Sequence, residues 1–263
     1  MTTLREMWAA GRPTLGGWLG IPSSISAEAA ARAGFDYVCV DNQHGVVEYA
    51  SASALVQGVL LGGSRPVSRV PWNEPGIIGK LLDAGVEGII VPMVNSAEEA
   101  TAVVQACRYA PVGARSFGPI LAGMRNGSYA KEANDTVATI PMVETVQALQ
   151  NLDDILSVPG VDAVYVGPAD LSLSLGLPPG NNDDRSEFTE ALEAIVAGCR
   201  RHGVVPGIHA SGALAQRRLE QGFLMVTVAN DLLSMRTRMA EELAQARGAA
   251  DTASEAPATK SVY

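Results

Sequence analysis

Short β-branched or apolar runs alternate with longer amphipathic stretches along nearly the whole chain, and this alternation narrows the possible folds more than any other feature. The runs are LGGWLG (15–20), YVCV (37–40), PVSRV (66–70), GIIVPM (88–93), ATIPMVE (138–144), AVYVG (163–167), VVPGIH (204–209) and FLMVTV (223–228). Between them lie helical segments such as SAEAAARAG and EPGIIGKLLDAG, several of which end in glycine, at Gly34, Gly85, Gly203 and Gly222. A glycine there suits the left-handed residue that closes a helix. Eight βα units in 263 residues favour one α/β domain, a closed (β/α)8 TIM barrel, over an open doubly wound sheet. No GxGxxG follows the first strand, which further weakens a dinucleotide-binding reading. The barrel is expected over 1–247 and ends in an amphipathic helix, NDLLSMRTRMAEELAQAR. That helix packs either on its own barrel or across subunits. The small, polar, aperiodic stretch 248–263 predicts a disordered tail.

Composition excludes several classes of function. The formal net charge is -9 and the basic residues are scattered, which argues against a nucleic-acid partner. No segment approaches the length of a membrane span, and MTTLREMWAAGRP lacks the apolar run of a leader. Three cysteines, Cys39, Cys107 and Cys199, lack metal-ligand spacing and sit in apolar or helical stretches. They predict buried thiols in a reducing, cytoplasmic setting. The longest connection, from Tyr109 to Val137, has the length of a functional or interfacial loop.

Barrel enzymes draw their sites from the C-terminal ends of the strands. Asp41 and His44 lie at the end of the second strand, Arg69 on the third, Glu144 at the end of the fifth, Asp170 in GPAD after the sixth, and His209 at the end of the seventh. Two carboxylates on adjacent strands repel unless a cation lies between them. Glu144 and Asp170 therefore read as ligands of a hard divalent ion such as Mg2+ or Mn2+, with waters and substrate oxygens completing its shell. The alternative is that each acid caps a helix or turn. Arg69 suits a carboxylate or a developing enolate oxygen, or else a salt bridge to a nearby acid. His44 suits a general base or is a loop histidine without a role. His209 ranks behind it as a supporting or loop residue, and His202 reads as a helix end. The only lysines are Lys80, Lys131 and Lys260, on an outer helix, in the long loop and in the tail. No Schiff base inside the barrel is available, so carbonyl activation falls to a metal and no organic cofactor is expected.

The segments VDNQHG, SRVPW, KLLDAGVEGIIVPMVNSAEEA, RYAPVGARSFGP, PMVET and VDAVYVGPADLSLSLG together resemble the HpcH/HpaI aldolases, a family of metal-dependent class II pyruvate aldolases. The resemblance implies that His44 is the base, that Asp83 raises its basicity, and that Arg69 stabilises the enolate oxygen. Glu144 and Asp170 would be the protein ligands of Mg2+ or Mn2+, with Co2+ as a further candidate. Gly167, Pro168, Ala169 and Asp170 would form the turn that holds the substrate carboxylate, and Asp41 would lie beside the metal's water shell. Two positions depart from the family pattern: Met142 stands where a glutamine is common, and Gln43 where many members have glutamate. The expected activity is a carbon–carbon lyase reaction, the reversible cleavage of 4-hydroxy-2-oxo acids to pyruvate, or a related 2-oxo acid, and an aldehyde. Decarboxylation of a 2-oxo acid such as oxaloacetate, lysis of a coenzyme A ester, and a non-catalytic oxo-acid-binding barrel are the alternatives. The family implies a homo-oligomer, a hexamer, with small molecules as the other partners.

Overall fold

The computed structural model describes residues 2–248. Eight parallel strands form one sheet: β1 (Thr14–Leu19), β2 (Tyr37–Asp41), β3 (Arg65–Arg69), β4 (Gly88–Val91), β5 (Ala138–Pro141), β6 (Ala163–Val166), β7 (Val205–His209) and β8 (Met225–Asn230). The order is β5-β4-β3-β2-β1-β8-β7-β6, and the gap between β5 and β6 is spanned by a bridge from Met142 to Tyr165. The result is a nearly closed α/β barrel of the TIM type, as the alternation predicts.

Two apolar layers hold it. Trp18, Tyr37, Val67, Ile90, Ile140 and Tyr165 belong to one buried cluster, on strand positions that alternate with those facing the helices. The larger cluster joins the other strand face to the helices, for example Val38 and Val40 with Leu55 and Val59. Gly34, Gly85, Gly203 and Gly222 all have positive φ, from 68° to 105°, so the helix-closing role read from the sequence is found at each. The three cysteines are buried and free.

Several boundaries differ from the sequence reading. The fifth strand ends at Pro141, so Glu144 lies three residues beyond it rather than within it. The eighth is shifted to Met225–Asn230, paired with β1 as far as Trp18 opposite Asn230, with a register slip past Val228 between Gly16 and Gly17. The long connection holds two unforeseen helices, Ile120–Arg125 and Tyr129–Thr136, the second carrying Lys131. Leu4–Ala9 is also helical, with a capping box between Thr3 and Glu6, and it buries Leu4 and Trp8 in the Trp18 cluster. The C-terminal helix runs Asp231–Ala246, and the Asp231 carboxylate ties it to β1 through the Gly20 and Ile21 N–H groups at 2.9 and 3.1 Å. Apart from Gly248, the stretch expected to be a disordered tail lies outside the described residues. Among the described residues no helix is long and apolar enough to cross a membrane.

Candidate active site

A cavity of about 340 Å³ opens at the C-terminal ends of the strands, lined by Trp18, Arg69, Met142, Asp170 and His209 among others. Its floor is an ion pair set by strand register: Asp41 on β2 is the direct neighbour of Arg69 on β3. The guanidinium donates from Nε to Asp41 Oδ1 at 2.9 Å and from Nη2 to Oδ2 at 2.6 Å. Asp41 Oδ2 also accepts from Trp18 Nε1 at 3.1 Å, and Arg69 lies over the Trp18 ring, 5.0 Å from its centroid. Burial alone would raise the Asp41 pKa, but the hydrogen bonds and charge of Arg69 outweigh it and the net shift is downward. Burial likewise opposes the charge on Arg69, which Asp41 restores, so the arginine pKa is raised. The salt bridge weighed for Arg69 in the sequence is thus present, and its partner is the acid expected beside the metal's water shell.

Asp41 also shapes the turn that follows β2. Its Oδ1 accepts from the Gln43 and His44 N–H groups at 3.1 and 3.3 Å. The chain then turns so tightly that a Cβ at Gly45 would lie 2.3 Å from the Asp41 carbonyl oxygen. His44 itself is exposed, and Gln43 Oε1 is buried without a hydrogen-bond partner.

Glu144 is buried in the loop after β5, with 2% of its surface exposed. Its Oε1 accepts from the Met93 N–H at 2.8 Å. Met93 is the non-glycine residue with positive φ (56°) among the described residues, a strained conformation that aims this N–H at the carboxylate. Glu144 Oε2 is buried with no partner. Burial raises the Glu144 pKa most, Asp170 raises it further, and against the Met93 N–H and Arg69 the value reaches about 7. Glu144 does not cap the next helix, because Thr145 does so through a hydrogen bond from Ala148 N at 3.0 Å. Asp170 stands in the first turn of Pro168–Ser174, whose N-cap is Gly167.

A cation fits this arrangement. An orphaned, buried carboxylate oxygen beside a second carboxylate is a costly array that a divalent ion would neutralise. Gly167 keeps the position clear, since a Cβ there would sit 2.2 Å from Glu144 Oε2. No group of three or more His, Cys, Asp and Glu side chains suited to a metal occurs among the described residues. Waters and substrate oxygens would therefore supply most of the shell, as expected of a hard ion. Gly167→Ala is expected to weaken metal affinity by about tenfold or more, read by titrating activity with Mn2+.

Asp83 is not among the residues lining this cavity. It lies on the helix Pro75–Ala84, where its carboxylate pairs with Arg115 at 2.7 Å and lines a separate groove with Asn73 and Lys80. His209, ranked behind His44 from the sequence, does line the cavity, and His44 does not. Its ring meets Trp18 edge-on at 4.9 Å, and burial first, then the charge of Arg69, pushes its pKa down to about 4. Asn181 and Asn230 also line the cavity and were missed, since neither carries a motif that marks it.

The model of the HpcH/HpaI aldolase/citrate lyase family matches residues 15–237. The chain belongs to that family. It is a carbon–carbon lyase of the aldolase type. It is 41% identical over 252 residues to a hydroxypyruvate/pyruvate aldolase of Rhizorhabdus wittichii, covering 94% of this chain and 99% of that one. It is 42% identical over 264 residues to a 4-hydroxy-2-oxo-heptane-1,7-dioate aldolase of Klebsiella pneumoniae, covering 98% of each. Among solved structures, an HpcH/HpaI aldolase/citrate lyase family protein from Burkholderia cenocepacia superposes with a TM-score of 0.86 at 29% identity, over 94% of this chain and all (100%) of that one. Membership in the HpcH/HpaI family accounts for the order of motifs along the barrel.

Proposed function

We propose that this HpcH/HpaI protein reversibly cleaves 4-hydroxy-2-oxo acids to pyruvate, or a closely related 2-oxo acid, and an aldehyde, with Mg2+ or Mn2+ held by Glu144 and Asp170. The observation that carries this reading is the buried, half-satisfied Glu144 carboxylate beside Asp170, which lines the same cavity as Arg69. When bound, the divalent ion supplies Lewis-acid polarisation of the keto group. Arg69, fixed by Asp41 and Trp18, meets the oxygen on which enolate charge develops and needs no reorganisation to do so. The N–H groups of Ala169 and Asp170, at the start of their helix, receive the substrate carboxylate, while Gly167 and Pro168 keep that approach clear. Met142 presents a thioether to the cavity where a hydrogen-bonding side chain is common in the family, so substrate positioning rests more heavily on its neighbours.

His44 is proposed to take the proton of the 4-hydroxyl, and Asp83 to act through it by raising its basicity. The exposure of His44 outside the cavity also favours a second reading, decarboxylation of a 2-oxo acid, which forms the same enolate without removing a hydroxyl proton. One experiment separates the two. Replacing His44 by alanine should lower kcat for aldol cleavage by about 10²–10⁴-fold, with Asp83→Asn giving a milder loss of kcat at unchanged KM. Decarboxylation of oxaloacetate should survive both changes. Equal losses in the two assays would remove His44 from the role of hydroxyl base. A homo-oligomer, a hexamer by family likeness, is part of the same proposal. It is supported by the exposed apolar residues Leu232, Met235, Met239 and Leu243 on the C-terminal helix.

A further inference from the structure

The cavity is also lined by neutral groups, Asn181, Asn230 and His209, whose orientation is set by their hydrogen-bond partners. Arg218 is wholly buried, ion-paired with Asp183 at 2.8 Å, and donates from Nη2 to Asn181 Oδ1 at 2.7 Å. Because a guanidinium only donates, this bond fixes the orientation of the amide and leaves the Asn181 NH2 as the free end. Asn230 is held in the same sense: its Oδ1 accepts from the Leu233 N–H at 3.0 Å, which leaves its own NH2 free. His209 has one ring nitrogen engaged. The Tyr165 hydroxyl donates to Thr227 Oγ1 at 2.6 Å, so the His209 Nδ1 facing it at 3.4 Å is the protonated nitrogen. Nε2 then carries a lone pair, and among the described residues it has no hydrogen-bond partner. Burial and the Arg69 charge keep the ring neutral, with a pKa of about 4.

This wall therefore offers two amide donors and one imidazole acceptor. The cation lining the cavity among the described residues is Arg69; its Nε and Nη2 are on Asp41, and its remaining Nη1 serves the enolate oxygen in the reading above. A second carboxylate on a substrate would meet the Nε2 lone pair with no free cation to balance its desolvation. A hydroxyl both donates and accepts, so it alone among common substituents satisfies His209 and the asparagines together. We propose that His209, Asn181 and Asn230 form a hydroxyl-reading wall, which makes a short neutral hydroxyaldehyde, rather than a semialdehyde with a distal carboxylate, the aldehyde partner of the reaction. The inference rests on the aldolase reading above.

The test is aldol addition of pyruvate to glyceraldehyde, to propanal of equal carbon number, and to succinic semialdehyde, with the full chain in Mn2+. The wild-type kcat/KM for glyceraldehyde should exceed that for each of the others by about tenfold or more. The glyceraldehyde-to-propanal ratio should fall about ten- to a hundredfold in His209→Leu. Comparing ratios between proteins cancels the intrinsic reactivity of each aldehyde. Asn181→Asp keeps the acceptor for Arg218 while removing the NH2 donor, so it should lower the same ratio even if the histidine variant folds poorly. A tenfold preference for succinic semialdehyde, or ratios unchanged in both variants, would overturn the wall while leaving the aldolase reading intact. Failure of all three aldehydes, with no exchange of the pyruvate methyl protons, would overturn both.

Discussion

Replacing Glu144 by glutamine is expected to lower kcat/KM for aldol cleavage by about 10²–10³-fold or more, while leaving the metal-free fold at least as stable as the wild type. Glutamine has the same shape and its Oε1 can still accept the Met93 N–H, so packing is preserved. What disappears is the anionic oxygen that has no partner in the protein. The two states of this residue make a pH signature. Its folded pKa of about 7 lies above the 4.5 of an ordinary glutamate, so the metal-free protein binds this proton more tightly than the unfolded chain does. The corresponding stability is fully present below the unfolded value and is lost as pH rises through about 7. Melting in a chelator at pH 5 and pH 8 should show wild type weakening at the higher pH, and the variant weakening less. A variant that melts much earlier than wild type at both pH values would assign Glu144 a structural role.

Arg69→Met should damage both function and fold. The guanidinium and Asp41 are 7% and 4% exposed, so removing one partner strands a buried charge. The cost expected for breaking such a pair is about 3–5 kcal/mol, read as a lower midpoint of denaturant unfolding. The double change Asp41→Asn with Arg69→Met removes the stranded charge and should recover part of that loss. Activity should not recover: loss of the fixed positive charge should lower kcat by about 10²–10³-fold in both variants. Recovered turnover in the double variant would show that Arg69 serves the ion pair alone.

How far the sequence reveals these features depends on how local their causes are. The eight strands and the four helix-closing glycines announce themselves within a few residues, because β-branched runs and left-handed turns are short-range matters. Strand ends are less legible: where β8 pairs with β1 the register slips past Val228 between Gly16 and Gly17, and that irregularity is set by the pairing of two strands about 210 residues apart. The N-terminal helix had its signal, the capping box of Thr3 and Glu6, but six residues give too little periodicity to stand out. Within the site, Glu144, Asp170 and Arg69 are readable as polar groups at strand ends. The pairing of Asp41 with Arg69 needs the register between β2 and β3. The bond from Arg218 to Asn181 joins residues 37 apart in the chain, which meet only when the barrel is folded. His209 lay in plain view on β7, and its rank was decided by the cavity it faces rather than by any neighbour in sequence.

The central claim is that Glu144 and Asp170 hold a divalent ion against which this chain generates a pyruvate enolate. Its most direct measurement is exchange of the pyruvate methyl protons in deuterated water, followed by NMR, on protein stripped by a chelator and then restored with Mg2+ or Mn2+. The account predicts exchange in the restored wild type, none above background in the stripped protein, and none in Glu144→Gln at matched metal. Exchange that persists undiminished in rigorously stripped protein, or in the glutamine variant, would contradict it.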